Sequence, residues 1–596
     1  MKTLPLIMSG IVVGISLTSA APAPKPDDSA LLENIDSLKT APPVAGRLAS
    51  VEALKKELAT LWDRPSVQEP LNVEIVFSEV KNGYKTEGVY INGFSGAAGQ
   101  DRIFFYYSRP ETPTGKVPAY IEITGGGGPE RGAWFARTNK CAVIDIEWRG
   151  AKNKFRSKWA GCNFETMKSL TTSLRDNPAY RLVTGIRRAI DFIETQPDLD
   201  TKMIGCGGGS MGGYYTLLSA GADDRIAFGI NELGAGYLAN TQSRLGQFDL
   251  DPERKAIWLQ AFDPISYAGR TQAKMFFNLS ANDYFFWLGD AVANYQALAS
   301  EKRICISPNY NHNDGTFAEK KLGAKGWIDY ASGREASYLP TPELHESSGL
   351  YNVKTGPEAV GATLYWSPGA NLAWPARYWV KVPAQKTSSG WQASVAASHA
   401  GEARVAFMNV QDAKGRTVSS TPLETAGVDP ATSAGQLWEG GAIWDKAAGI
   451  GAWRQIGPNV RSGSPAKLEL KADALLVSPG QPEKPGFSIV TNSVYVASGH
   501  APAARGLVIK LNAGAAAGKL TVSLVRNFGS AAGQVDHVAT IDYGAAESTH
   551  EIAWNQFLFA KGSAPLFPFD ALRIDGTRAD GTPLEIQAIT LLKYGQ

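Results

Sequence analysis

The stretch that decides the fold reads Met203-Ile204-Gly205-Cys206-Gly207-Gly208-Gly209-Ser210-Met211-Gly212-Gly213-Tyr214-Tyr215. An apolar run, Met203 to Gly207, predicts a buried strand, and the residues from Tyr214 onward have the composition of a helix. Between them a serine sits among glycines. A strand that turns this tightly into a helix tolerates only small neighbours beside the serine. Its hydroxyl is lifted clear of the sheet and the positive end of the helix points at it. Ser210 is therefore expected to be a nucleophile.

The flanking sequence supplies the sheet such a turn requires. Short continuous apolar runs at Ala119–Thr124, Cys141–Trp148, Met203–Gly207, Ile226–Asn231, Lys274–Leu279 and Arg303–Ile306 alternate with helical patterns such as Tyr180–Thr195 and Leu288–Ser300. That alternation predicts a mostly parallel, doubly wound sheet covered on both faces, with its functional residues at the carboxyl ends of the strands. Ahead of it, Leu48, Val51, Leu54, Leu58 and Leu61 fall on one helical face before Pro65. Alternating strands are expected around Val73–Val80, Lys85–Gly93 and Arg102–Ser108.

A serine hydroxyl needs a base within hydrogen-bond reach. Of the six histidines in the chain, His312 is the one that precedes the β-rich half, and it follows the last expected strand of the sheet. The acid that orients it is expected from the loop after the preceding strand. Asp283 fits there, with Glu232, after the strand ending at Asn231, as the alternative. Donors for an oxyanion are expected from the backbone of Met211 and from the run Gly125 to Gly128, with Gly126 and Gly127 at its centre. That run lacks the lysine a nucleotide-phosphate loop requires. Histidines and cysteines do not cluster at ligand spacings, so neither metal nor cofactor is expected.

Arg149-Gly150 after a strand, Gly208-Gly209-Ser210-Met211-Gly212-Gly213, and a histidine after the final strand together resemble the bacterial acetyl xylan esterase and cephalosporin C deacetylase group of α/β-hydrolases, over roughly residues 100 to 320. In that group an Arg-Gly-Gln motif, a Gly-Gly-Ser-Gln-Gly-Gly motif and a His-Glu pair recur, and the enzymes remove acetyl groups from sugars. Ala151 and Met211 stand here in place of the two glutamines, and Asn313 in place of the glutamate. The resemblance implies an α/β-hydrolase sheet and a serine esterase acting on an acylated carbohydrate or another small ester.

The chain has 596 residues, more than one core can serve, and its 44% hydrophobic content, 19% charged content and net charge of +2 argue against a nucleic-acid partner. Residues 1–20, from Lys2 through an apolar run to Ala20, read as a signal peptide, and residues 21–43 as a linker. A secreted or periplasmic protein without an integral membrane segment after cleavage is expected. The catalytic domain is assigned to 44–339. After Leu339 short alternating strands take over, giving one or two all-β sandwich domains: an immunoglobulin-like one over 340–430 and a jelly roll over 431–596. By resemblance the latter is galactose-binding-like. Trp438, Trp444, Trp453 and Trp554 are offered there as sugar-stacking or, more commonly for a sandwich, as core residues. Cys206 and Cys305 fall on separate strands, and any disulfide would join Cys141 to Cys162. Two rival readings share these features. One is a peptidase of the prolyl oligopeptidase kind, although too little chain precedes the sheet for a propeller. The other is a binding protein with an inactive hydrolase domain.

Overall fold

The helix demanded by the leucine spacing forms over Val51–Leu58 (α1), and the Ser50 hydroxyl caps it by accepting the Ala53 N–H at 3.2 Å. The structure is a computed structural model. It describes residues 49–596 apart from 65–68, 97–98, 126–131, 149–154, 160, 171, 313–317, 432–441, 446–448, 454–465, 472–473, 482–483, 528–533, 560–564, 579 and 593–596. The proposed signal peptide and linker, residues 1–43, lie outside the described residues.

After α1 come three strands whose polar and apolar residues alternate, β1 (Glu74–Lys81), β2 (Tyr84–Gly96) and β3 (Gly99–Pro110), paired antiparallel. The apolar runs then form β4 (Val117–Glu122), β5 (Ala142–Glu147), β6 (Leu199–Gly209), β7 (Ile226–Glu232), β8 (Lys274–Ser280) and β9 (Lys302–Ser307). Among the described residues these make one nine-stranded sheet in the order β1-β2-β3-β5-β4-β6-β7-β8-β9. Pairing is parallel from β5 through β9. The chain winds outward from β4 to β5 and then resumes on the other side at β6, so the winding reverses between β4 and β6. In an open α/β sheet the working crevice lies at such a switch point, and Ser210 leaves the end of β6 there.

Helices cover both faces, and the strand residues alternate between the two cores as the period of two requires. Ile121, Ile144, Ile204 and Phe277 pack with helices α3 (Pro178–Glu194), α4 (Met211–Ala222) and α5 (Pro252–Phe262), whereas Tyr120, Val143, Phe228 and Phe276 face α2 (Gly132–Asn139) and α7 (Ala318–Ala331). Helix α6 (Leu288–Ala297) lies between β8 and β9 in sequence. Among the described residues no helix is long and apolar enough to cross a membrane. The four cysteines are buried and none forms a disulfide, so Cys141 and Cys162 are not joined; burial pushes the Cys141 and Cys206 thiols up to about 12. Held protonated in this way, the Cys141 and Cys206 thiols act as packing groups rather than nucleophiles.

The β-rich half forms two sandwiches. In the first, strands between Leu344 and Thr425 build a four-stranded and a five-stranded sheet among the described residues. Tyr351, Val353 and Trp391 of one meet Leu364, Trp366, Ala406 and Met408 of the other in a shared core. The opposite face of the five-stranded sheet is not solvated. Val405 and Phe407, alternating with Ala406 and Met408, join the core of the nine-stranded sheet together with Trp379. The second sandwich, with strands between Ala442 and Leu592, encloses its own core of Leu475, Ile509, Ile586, Phe487, Val522 and Ile574.

Candidate active site

At the end of β6 the backbone of Ser210 is forced to φ 59° and ψ −120°, a conformation that ordinary residues avoid. The neighbours show why the turn is built from glycine. A Cβ on Gly208 would lie 1.9 Å from the Ile123 carbonyl oxygen, and one on Gly212 would lie 1.8 Å from the same atom. The turn is thus pressed against the chain leaving β4. The Ser210 N–H donates to the Glu232 carbonyl at 2.7 Å, and the Tyr214 N–H returns to the Ser210 carbonyl at 3.1 Å. These bonds fix the strained residue between β7 and the first turn of α4.

The serine hydroxyl projects toward His312. Ser210 Oγ lies 2.7 Å from His312 Nε2, and His312 Nδ1 lies 2.7 Å from Asp283 Oδ2. Asp283 is buried, and its other oxygen accepts the N–H groups of Phe285 at 2.8 Å and Phe286 at 2.9 Å. A carboxylate so engaged can only accept, so Nδ1 carries the ring proton and Nε2 offers its lone pair to the serine O–H. The chemical capacity is plain: a hydroxyl donating to a neutral imidazole whose far side faces a buried carboxylate.

The alternative acid stands elsewhere. No hydrogen bond or ion pair joins Glu232 to His312; Glu232 serves the site through its carbonyl, which holds Ser210. Met211 opens α4 beside Ser210, where the first N–H groups of a helix lack partners within it. Gly126 and Gly127 lie outside the described residues, but their neighbour Gly125 does not. A Cβ built on Gly125 would come within 2.5 Å of the Gly209 carbonyl and 3.5 Å of Ser210 Cβ, so the glycine run starts against the elbow. The Trp148 indole N–H donates to Thr124 O at 2.9 Å, and the Thr124 hydroxyl to Asp145 at 3.0 Å, so the residue just before the run is tethered. Arg149, Gly150, Ala151 and Asn313, which enter the family resemblance, lie outside the described residues.

Three residues of the site are missing from the sequence reading. Tyr284, Phe285 and Phe286 follow Asp283 directly and surround the imidazole, with ring centroids 5.8, 4.8 and 6.0 Å from that of His312. Their signal was present as the aromatic run Tyr284 to Trp287 immediately after Asp283. The Arg244 guanidinium lies over Phe285, 4.6 Å from its centroid. Two of the tryptophans offered for sugar stacking do not present open faces. Trp444 and Trp453 are buried in the second sandwich, and the Trp554 indole N–H is tied to Ala501 O at 3.1 Å and Ala504 O at 2.8 Å. Trp438 lies outside the described residues.

A sheet with its winding reversed at β6, a serine in a strained turn at that strand's end and a histidine beyond the last strand are the features of the α/β-hydrolase fold. No family model matches the chain. It is similar to the acetyl esterase Axe7A of Xylanibacter ruminicola, with 24% identity over 234 residues, 35% of this chain and 52% of that protein. The chain thus spans about half the length of that curated relative. Among solved structures it is similar to acetyl xylan esterase 1 from Thermoanaerobacterium sp. JW/SL YS485, with TM-score 0.38 and 18% identity over 48% of this chain and 95% of that one. An acetyl xylan esterase from Paenibacillus sp. R4 gives TM-score 0.38 and 17% identity over 50% and 98% of the two chains.

Proposed function

We propose that this protein is an exported serine esterase that deacylates carbohydrate esters, acetyl esters first among them. The observation that carries the reading is the pair of 2.7 Å contacts on His312, one to Ser210 and one to Asp283. In the reaction the Ser210 oxygen attacks the ester carbonyl while His312 Nε2 takes its proton, and the imidazolium that forms is stabilised by Asp283. The oxyanion is met by the Met211 N–H and by the glycine run at the end of β4, whose Gly126 and Gly127 are the proposed second source. As the carbonyl reforms and the C–O bond to the sugar breaks, His312 gives the proton to the departing sugar oxygen, which leaves as a hydroxyl. Water, activated by the same ring, then releases the acyl group from Ser210. The acetyl preference draws support from the relative named an acetyl esterase, and export from the apolar stretch between Lys2 and Ala20.

One preparation tests both parts. The full chain is expressed in a bacterium, recovered outside the cytoplasm, sequenced from its N-terminus and assayed on p-nitrophenyl acetate and acetylated xylan. The expected result is a mature chain beginning at Ala21 and, in Ser210→Ala, a kcat lowered by roughly 10⁴-fold or more with stability retained. Unchanged hydrolysis by Ser210→Ala would overturn the esterase reading. A retained leader on cytoplasmic protein would overturn export.

A further inference from the structure

Two loops carry the groups that serve Ser210. The acid loop leaves β8 as Ala281-Asn282-Asp283, and the base loop leaves β9 and reaches His312 through Asn309 and Tyr310. Such loops hold a geometry only as well as their anchors allow, and a misplacement of 1 Å costs about 10²-fold in rate. The anchors here come largely from outside the hydrolase sheet.

Asn282, fully buried and adjacent to the acid, donates its backbone N–H to Tyr310 O at 2.9 Å, which ties the acid loop to the base loop. Its side-chain amide reaches into the first sandwich, donating to Pro375 O at 3.1 Å and to Arg377 O at 2.5 Å. Asn309 grips the same segment: its amide donates to Trp379 O at 2.8 Å and its carbonyl accepts the Trp379 N–H at 2.7 Å. It pairs with that peptide as a neighbouring strand would. Asn309 sits at φ 59°, a backbone conformation that asparagine tolerates better than most residues.

The receiving segment is rigid for reasons of its own. Arg377 is buried, donates to Gly369 O and Ala370 O at 2.8 Å each, and lies 5.1 Å from the Trp374 ring centroid. Trp379 is buried against Phe407, 4.9 Å between ring centroids. Trp374 presses on the start of α6, where a Cβ at Gly289 would lie 2.4 Å from its indole nitrogen.

We propose that the first β-sandwich is a working part of the hydrolase site, its segment Trp374–Trp379 aligning Asp283 and His312 through the positioning residues Asn282 and Asn309. The inference rests on the esterase reading above. It assigns to the appended domain the alignment of base to acid and nucleophile, and to the two asparagines an effect on turnover exerted through their neighbours.

The test uses the full chain. Asn309→Gly keeps the left-handed backbone and removes the clasp, Asn282→Ala removes the other, and Asn309→Asp keeps the acceptor for the Trp379 N–H. Glu335→Gln cuts the ion pairs from Lys414 (2.8 Å) and Arg416 (2.5 Å) that join the sandwich to the hydrolase body away from these loops. In Asn309→Gly and Asn282→Ala the expected result is a kcat lowered about 10- to 100-fold with KM held within about twofold, and fluorophosphonate labelling of Ser210 slowed in proportion. Asn309→Asp recovers part of the loss, and Glu335→Gln lowers the melting temperature while keeping kcat. The proposal is overturned if folded Asn309→Gly and Asn282→Ala turn over at the parental rate. It is equally overturned if Glu335→Gln loses kcat in the same proportion, since generic docking would then explain the effect. Neither outcome touches the esterase reading, which fails only if Ser210→Ala stays active.

Discussion

At Ser210 the chain accepts local strain and surrounds it with glycines, but the glycines are not equivalent. The sequence motif suggests that each is needed for room. Space is lacking at Gly208 and Gly212, both pressed on the Ile123 carbonyl, whereas a Cβ at Gly209 would meet nothing within 4 Å. Gly212→Ala must push the elbow away from the chain entering the glycine run. It is expected to cost about 1–3 kcal/mol of stability and to lower kcat, whereas Gly209→Ala is expected to change stability by no more than about 0.5 kcal/mol. Urea unfolding of the two variants checks this, and equal losses at both positions would contradict it. Ser210, His312 and Asp283, which the structure brings within 2.7 Å contacts of one another, could be singled out in the sequence because each follows an expected strand, the serine inside a glycine turn and the histidine as the first of its type in the chain. Asp283 is preferred to Glu232 because it leaves the strand directly before the one that leads to His312. Asn282 and Asn309 were illegible because an asparagine in a loop has no signature, and their partners are backbone groups some 70 to 95 residues away.

Among the elements, the parallel strands were the most readable, since a strand buried on both faces must be apolar throughout. Their ends were not. β6 begins at Leu199, ahead of the apolar run, because Leu199 and Asp200 pair with Val117 and Pro118 before a shift in register, and backbone pairing leaves no trace in side-chain type. Helix α6 carries a cost in its first turn. Burial raises the Asp290 carboxyl to about 7; the Thr241 hydroxyl, which donates to it, opposes this, and Asp263 adds to it. Folded protein therefore holds this proton more tightly than the unfolded chain. The folded state gives up no stability below about pH 4, progressively more as the pH rises toward 7, and the full amount beyond. Asp290→Asn keeps an acceptor for Thr241 and removes the charge. It is expected to be about 1–2 kcal/mol more stable than the parent at pH 8, with the gap closing near pH 4. Thermal unfolding across that range reads the difference, and a variant less stable at pH 8 would refute the assignment.

For the molecule as a whole, alternation in the second half announced sandwiches but could not say what their outer faces touch. Val405 and Phe407 have the pattern of a solvated face turned apolar, and their partner is the hydrolase core. Trp444 illustrates the complementary case. It is 1% exposed and donates to Gly449 O at 2.9 Å, so Trp444→Ala is expected to cost the second sandwich about 3–5 kcal/mol while leaving kcat on p-nitrophenyl acetate intact. Calorimetry with parallel assays decides this, and an undiminished melting temperature would speak against a core role. The nine-stranded sheet also has two margins to defend. At β1 the defence is charge, with Glu74, Glu79 and Lys81 along the exposed strand. At β9 the Ile306 N–H donates to the Ser419 hydroxyl at 2.7 Å, and the Ile306 carbonyl accepts from the Asn409 amide at 3.1 Å. Were proteolysis or a premature stop to remove the sandwich, that margin would be left bare and adhesive, a template on which copies could stack into insoluble assemblies.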